Sequence, residues 1–219
     1  MKTLIIIFLI YFLLALALVS SLAEAASETE TIFLTATNSV VLEGVVSDVS
    51  VDNVMSALIV KQALNQGRSP VYFIINSGGG MMIAADRLSS FLDRMHDVVF
   101  VCYYCASAAA GLFERTQHLR LMTNLEDSRI LLHEATLSST AKQFNKNTIP
   151  SFKVRSREFN LFFSKRIGWS IQKYEAKIQN YDWVIRSKQV MKLNLADKLV
   201  IVKCTDEYSR MLVANICSK

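Results

Sequence analysis

The sequence predicts an α/β domain of repeated parallel strand–helix units, and three observations carry that prediction. Residues 71–75 and 98–105 are runs of β-branched and aromatic residues, the pattern of strands buried on both faces. Each run ends in a glycine- or serine-bearing junction, Asn76-Ser77-Gly78-Gly79-Gly80 or Ala106-Ser107, and small, helix-compatible residues follow. The 219 residues hold no internal repeat, no low-complexity linker and only two prolines, Pro70 and Pro150, so one domain accounts for the chain beyond its first segment. Strands separated by helix-length segments require crossovers, and crossovers give a parallel sheet with helices on its faces.

The elements follow in order. Residues 40–46 read as a strand. Asp52 and Asn53 offer a helix cap, and Asn65-Gln66-Gly67 ends that helix after residue 64. The strand at 71–75, a glycine turn and a helix over 81–95 make one unit; the strand at 98–105 and a short helix to 115 make the next. Short strands are expected at 119–122 and 129–133. Pro150 suits the first turn of a long helix that reaches 167, where Gly168 stops it. Helices at 170–179 and 187–193 precede a last strand at 199–204. Phe152, Phe159, Phe162 and Phe163 recur at helical spacing on the long helix. That stripe is core if the helix packs down and an oligomer contact if it protrudes.

The N-terminus differs in kind. Lys2 precedes an almost wholly apolar run from 4 to 19, and Ala23-Glu24-Ala25 supplies an Ala-x-Ala cleavage site. Residues 1–25 therefore read as a secretory signal peptide, with an uncleaved membrane anchor as the alternative. The apolar run is short of the roughly 20 residues a span needs. A domain over 26–204 and a tail over 205–219 follow. Export, periplasmic or secreted, permits disulfides. A bridge between Cys204 and Cys217 would pin the tail. Cys102 and Cys105 lie three apart on one expected strand, so alternation points them to opposite faces and they are expected as two buried thiols.

The net charge is +5, and much of the basicity lies between Lys142 and Arg166 among phenylalanines. With no tight basic cluster beside a base-stacking platform, this reads as the solvated face of an amphipathic helix, and no nucleic-acid partner is expected. The glycines at 78–80 are not followed by Lys and Ser or Thr, which excludes a phosphate-binding P-loop. No cofactor or metal site is expected.

Four features can carry chemistry. Ser107 stands where a strand meets a helix, so its hydroxyl is presented at a helix N-terminus, with the next amide free to bind an oxyanion. The bare backbone at 78–80 lets a substrate carbonyl approach. His133 closes a strand at the end where α/β ligands bind. Asp182 precedes Trp183-Val184-Ile185, and its carboxylate can orient an imidazole.

In that order the segments resemble ClpP, the proteolytic subunit of the Clp proteases. Phe73-Ile74-Ile75-Asn76-Ser77-Gly78-Gly79-Gly80 is similar to the family's hydrophobic-I-N-S-P-G-G segment. Cys105-Ala106-Ser107-Ala108-Ala109-Ala110 resembles its nucleophile turn, and Ser128 through His133 its S-R-x-M-I-H segment. Asp182 through Asp197 resembles the stretch that carries its aspartate, and the similarity spans about 40 to 202. The resemblance implies a ClpP/crotonase-like fold of repeated parallel β-β-α/β-α units with the 150–167 helix as a protruding handle. It implies a Ser–His–Asp triad of Ser107 as nucleophile, His133 as general base and Asp182 as orienter. Backbone amides of Gly79 and Ala108 would form the oxyanion hole, an extended peptide would be the substrate, and a homo-oligomeric ring the assembly.

The chain departs from the pattern at Gly78, which replaces a proline, and at Asn194, which replaces a glycine but tolerates the left-handed conformation. Ala109 replaces a glycine in the nucleophile turn. The segment Glu134-Ala135-Thr136-Leu137-Ser138 also differs, in the family's substrate-groove and ring-contact region.

An exported serine endopeptidase that works without an ATP-driven partner is the expectation. The alternatives are a catalytically inactive assembly or partner-binding subunit on the same fold, and a membrane-linked Ser–Lys peptidase of the signal-peptide-peptidase type. For the last, Lys142, Lys146, Lys153 and Lys165 are the candidate bases. A crotonase-type acyl-CoA site is disfavoured by export and by the triad.

Overall fold

The computed structural model describes residues 29–136 and 148–217. The chain divides into two units, 1–30 and 31–219. The signal-peptide segment and residues 137–147, which include Lys142 and Lys146, lie outside the described residues.

The second unit is built on a mixed, mainly parallel sheet. Its strands are β1 (Glu30–Leu34), β2 (Ser39–Val46), β3 (Val71–Gly80), β4 (Val98–Ala106), β5 (Arg120–Thr123), β6 (Arg129–Leu132), β7 (Trp183–Arg186) and β8 (Lys198–Cys204). The order is β1-β8-β5-β4-β3-β2, with β6 joining the far end of β4 and β7 pairing β6. The neighbours β2–β3, β3–β4, β4–β5, β4–β6 and β5–β8 are parallel, and β6–β7 is antiparallel. The helices are α1 (Asp48–Asn65), α2 (Met82–Leu92), α3 (Ala108–Arg115), α4 (Thr148–Arg166), α5 (Ile171–Ile178), α6 (Ser187–Lys192) and α7 (Glu207–Leu212). This is the expected α/β architecture.

Alternation along the central strands sorts their side chains into two cores. Phe73, Ile75, Phe100 and Cys102 join the helix-covered core, and Ile74 and Val101 join a smaller one with Leu121, Val200, Val213 and Ile216. Phe73 and Phe100 meet edge to face at 5.2 Å. The long helix α4 lays the C-terminal half of its aromatic stripe into the large core, where Phe159 and Phe163 are buried. Phe159 packs so closely on Gly111 of α3 that a Cβ there would lie 2.4 Å from its ring. Asp86 of α2 receives both Arg115 of α3 at 2.9 Å and Arg155 of α4 at 2.7 Å, which ties the three helices together.

Several local expectations are corrected. Ser47, not Asp52 or Asn53, caps α1: its hydroxyl accepts the Ser50 amide and Ser50 reciprocates. Residues 76–80 are not a free turn but the end of β3, because Glu43–Val46 of β2 continues to pair with them. The tail contains α7, capped by Asp206, whose carboxylate is held below the usual range by the Ser209 and Ala36 amides. Asn194 does adopt the left-handed conformation, with φ 56°. The Cys204–Cys217 bridge is formed and ties the turn that follows α7 to the end of β8.

Cys102 and Cys105 are also bridged, against expectation, with Cα atoms 6.0 Å apart. A bulge is the reason. Cys102 pairs with Ile75 but Tyr104 pairs with Asn76, so Tyr103 is an extra residue in β4. The extra residue resets the alternation, and both sulfurs enter the same core.

Candidate active site

Three strand ends converge at one edge of the sheet. Ser107 follows β4 directly, and its amide donates to the Leu131 carbonyl of β6 at 2.9 Å. His133 is the first residue past β6, not its last. Leu132 of β6 pairs with Trp183 of β7, so the next residues outward on this antiparallel ladder are His133 and Asp182. The topology thus brings the backbones of the three expected triad residues together.

Ser107 has φ 53° and ψ −121°, a conformation rare for a residue with a Cβ. Such strain persists only where the surroundings over-determine it. Here they do. The Ser107 carbonyl accepts from Gly111 at 3.1 Å, starting α3, while its amide is held by Leu131. Gly79, with φ 89°, presses its backbone against the turn: a Cβ there would come within 2.6 Å of the Ala106 carbonyl oxygen and 2.7 Å of Ser107 Cβ. Only glycine fits. Ala108 opens α3, so its amide belongs to the first turn, which has no intrahelical acceptor.

The side chains make other contacts. Among the described residues no hydrogen bond joins Ser107 to His133 or His133 to Asp182. His133 Nδ1 lies 2.8 Å from the Glu134 carbonyl oxygen. A carbonyl only accepts, so Nδ1 carries a proton, and in the neutral ring Nε2 holds the lone pair. That is the tautomer a general base needs. Asp182 is exposed. The Gly79 amide donates to Ser77 Oγ at 3.1 Å, and the buried Ser77 hydroxyl donates to the Gly44 carbonyl at 2.6 Å. Ser77 is therefore a site residue that the sequence did not single out; its place before three glycines was the available signal. One residue past His133, Glu134 and Ala135 line a groove of about 610 Å³ with Phe152, Lys153 and Asn160 of α4 and Glu175 of α5. Lys165 lies on the exposed side of α4. No cluster of three or more His, Cys, Asp or Glu that could hold a metal occurs among the described residues.

The sequence profile of Clp proteases matches residues 23–203. The chain belongs to the Clp protease family. A ClpP1 variant from Listeria monocytogenes is among its structural neighbours, with a TM-score of 0.58 and 16% sequence identity over 74% of this chain and 91% of that one. At that identity the likeness speaks for the fold. No curated protein matches the sequence. Among the described residues no helix is long and apolar enough to cross a membrane.

Proposed function

We infer that this member of the Clp protease family is an exported serine peptidase that cleaves peptides or unfolded segments without an ATP-driven partner. Ser107 attacks the scissile carbonyl, and His133 takes the proton on Nε2 and returns it to the leaving amine. Asp182 stabilises the imidazolium, and the Gly79 and Ala108 amides receive the oxyanion. The observation that carries this is the strained Ser107 turn, wedged between the Gly79 backbone and Leu131 at the strand ends that also bear His133 and Asp182. The reaction requires three contacts to change. The Gly79 amide leaves Ser77 Oγ, the imidazole turns toward Ser107, and His133 Nδ1–H leaves the Glu134 carbonyl for Asp182. The glycine at 78, where the family has proline, adds backbone freedom for the first movement. Ring assembly of identical subunits accompanies the activity, and a retained leader would hold the domain at a membrane.

A fluorophosphonate probe tests the nucleophile: wild type labels and Ser107→Ala does not, whereas equal labelling overturns the assignment. Loss of turnover in His133→Ala separates the triad from a Ser–Lys mechanism. Asp182→Asn is expected to lower kcat by up to about 10⁴-fold. A loss under about tenfold would give the orienting role to the Glu134 carbonyl instead. One observation favours a second reading, a non-catalytic assembly subunit: the hydrogen bonds of His133 and Gly79 are made to groups other than the expected catalytic partners. Ordered rings with neither labelling nor peptide turnover would establish it.

A further inference from the structure

We propose that the Cys102–Cys105 disulfide is a positioning element for Ser107, locking the β4 bulge from which the Ser107 turn is aimed. The proposal rests on Ser107 as the nucleophile. Up to Cys102, β4 pairs with β5 on one side and with Ile75 of β3 on the other. From Tyr104 onward it pairs with β6 and with Asn76. Tyr103 alone has no register partner, so the bulge sits where β4 changes neighbours, four residues before Ser107.

The cross-link requires the bulge that the neighbouring strands create. On an unbulged strand, residues three apart face opposite sides of the sheet and their sulfurs cannot meet. With Tyr103 extruded, both cysteines reach the same core, where each is fully buried. The bridge therefore exists in the bulged register only, and it removes the competing regular one. With Tyr103 paired to Asn76, a regular register would push the rest of β4 forward by one residue, ~3.3 Å along the strand, and invert the faces of its side chains. The Ser107 amide would lose the Leu131 carbonyl, and the Ser107 turn would leave the Gly79 backbone packed on it. Both contacts hold the strained φ of Ser107 in place. Bulges beside active sites serve to re-aim a side chain; here a covalent bond fixes the aim.

The test compares Cys102→Ala/Cys105→Ala with Cys204→Ala/Cys217→Ala, each read by fluorophosphonate labelling rate, by kcat and KM for a peptide, and by amide hydrogen exchange. The first variant is expected to label at least about tenfold more slowly, to lose kcat with KM within about twofold, and to lose exchange protection at Ser107. The second is expected to keep parental labelling and parental Ser107 protection. A folded Cys102→Ala/Cys105→Ala protein with parental labelling and protection overturns the proposal. Should the variant not fold, the same readouts are taken on parental protein treated with a small dithiol. The dithiol is oxidised to its cyclic disulfide and delivers two electrons and two protons to the two sulfurs, and alkylation counts the thiols released. Unchanged labelling in the reduced protein overturns the proposal equally. If the parent itself does not label, the nucleophile assignment fails, and Ser107 exchange protection alone decides the positioning role: unchanged protection overturns it.

Discussion

Cys102–Cys105 and Cys204–Cys217 are each one covalent bond, but they close spans of 3 and 13 residues and feed opposite faces of the sheet. In the loop-entropy account a 13-residue span restrains the unfolded chain by about 3 kcal/mol, and a three-residue span by roughly half of that. The C-terminal bridge suits a stabilising role: it ties to β8 the turn that follows α7, an element of six residues that could not persist alone. The bridge in β4 restrains little chain entropy and lies in a core already dense with aromatic and aliphatic packing. Its consequence is local register, four residues upstream of a strained turn. A cross-link's sequence span and its distance from the site thus separate stability from geometry, and the two regions are expected to respond oppositely to substitution.

The largest effect is expected at Gly79, on the geometric side of the comparison. Ala there would meet backbone atoms at 2.6 and 3.1 Å in a conformation of φ 89°. The fold should lose about 3 kcal/mol, and peptide turnover should fall at least about a hundredfold through displacement of the Ser107 turn. Gly67→Ala is the matched control, with φ 72° and open space around its Cβ. It should cost about 1–2 kcal/mol and leave turnover intact. Denaturant melts and peptide kinetics on both variants read this directly, and equal activity losses would dissolve the distinction.

Next comes the C-terminal bridge. Cys204→Ala/Cys217→Ala should lower stability by about 3 kcal/mol, a Tm shift of about 6–12 °C for a domain of this size, with labelling of Ser107 preserved. Calorimetry beside probe labelling checks both halves. A parallel loss of labelling would show that the tail and the site are one cooperative region.

Legibility in the sequence divides along another line, between local and tertiary signals. The grouping of Ser107, His133 and Asp182 follows from the resemblance to ClpP; the strand–helix alternation and the core strands follow from runs of β-branched and aromatic residues and from junction residues, which are local signals. Gly168 ending α4 and Asn194 turning left-handed were readable for the same reason. The bulge at Tyr103 was not, because nothing in Val-Cys-Tyr-Tyr-Cys distinguishes an extruded residue from a paired one. The choice is made by β3, β5 and β6 competing for β4, which is tertiary information. The rule that placed the two cysteines on opposite faces was sound, and the extra residue inverted its outcome. Likewise β7 and α7 were missed, since β7 exists through its antiparallel pairing with β6 and α7 through the bridge and the Asp206 cap.

A smaller, pH-dependent effect should show whether the two regions communicate. Glu114, on the helix that Ser107 begins, is fully buried, and Oε2 meets Arg120 of β5 at 2.7 Å. Arg120 in turn holds Asp197, just before β8, at 2.6 Å, and Arg166 of α4 approaches the same Glu114 oxygen at 3.7 Å. Glu114 Oε1 has no hydrogen-bond partner. Burial pushes the Glu114 carboxyl well above its ordinary range; Arg120 pulls it back and Asp197 adds to the rise. Because the folded value lies above the unfolded one, the fold favours the protonated acid. Its contribution is complete below the ordinary carboxyl range and is lost as pH rises through the raised value. Glu114→Gln keeps the shape and cannot ionise, so its stability relative to the parent should climb from acidic pH toward neutral. The opposite slope would mean that the Arg120 and Arg166 charges outweigh burial. If the labelling rate of Ser107 follows the same profile in the parent and goes flat in Glu114→Gln, the charge cluster couples the β5–β8 edge to the site. A flat labelling profile beside a sloping stability profile would leave Glu114 with the stabilising region and the Ser107 turn with its own bulge, bridge and glycine.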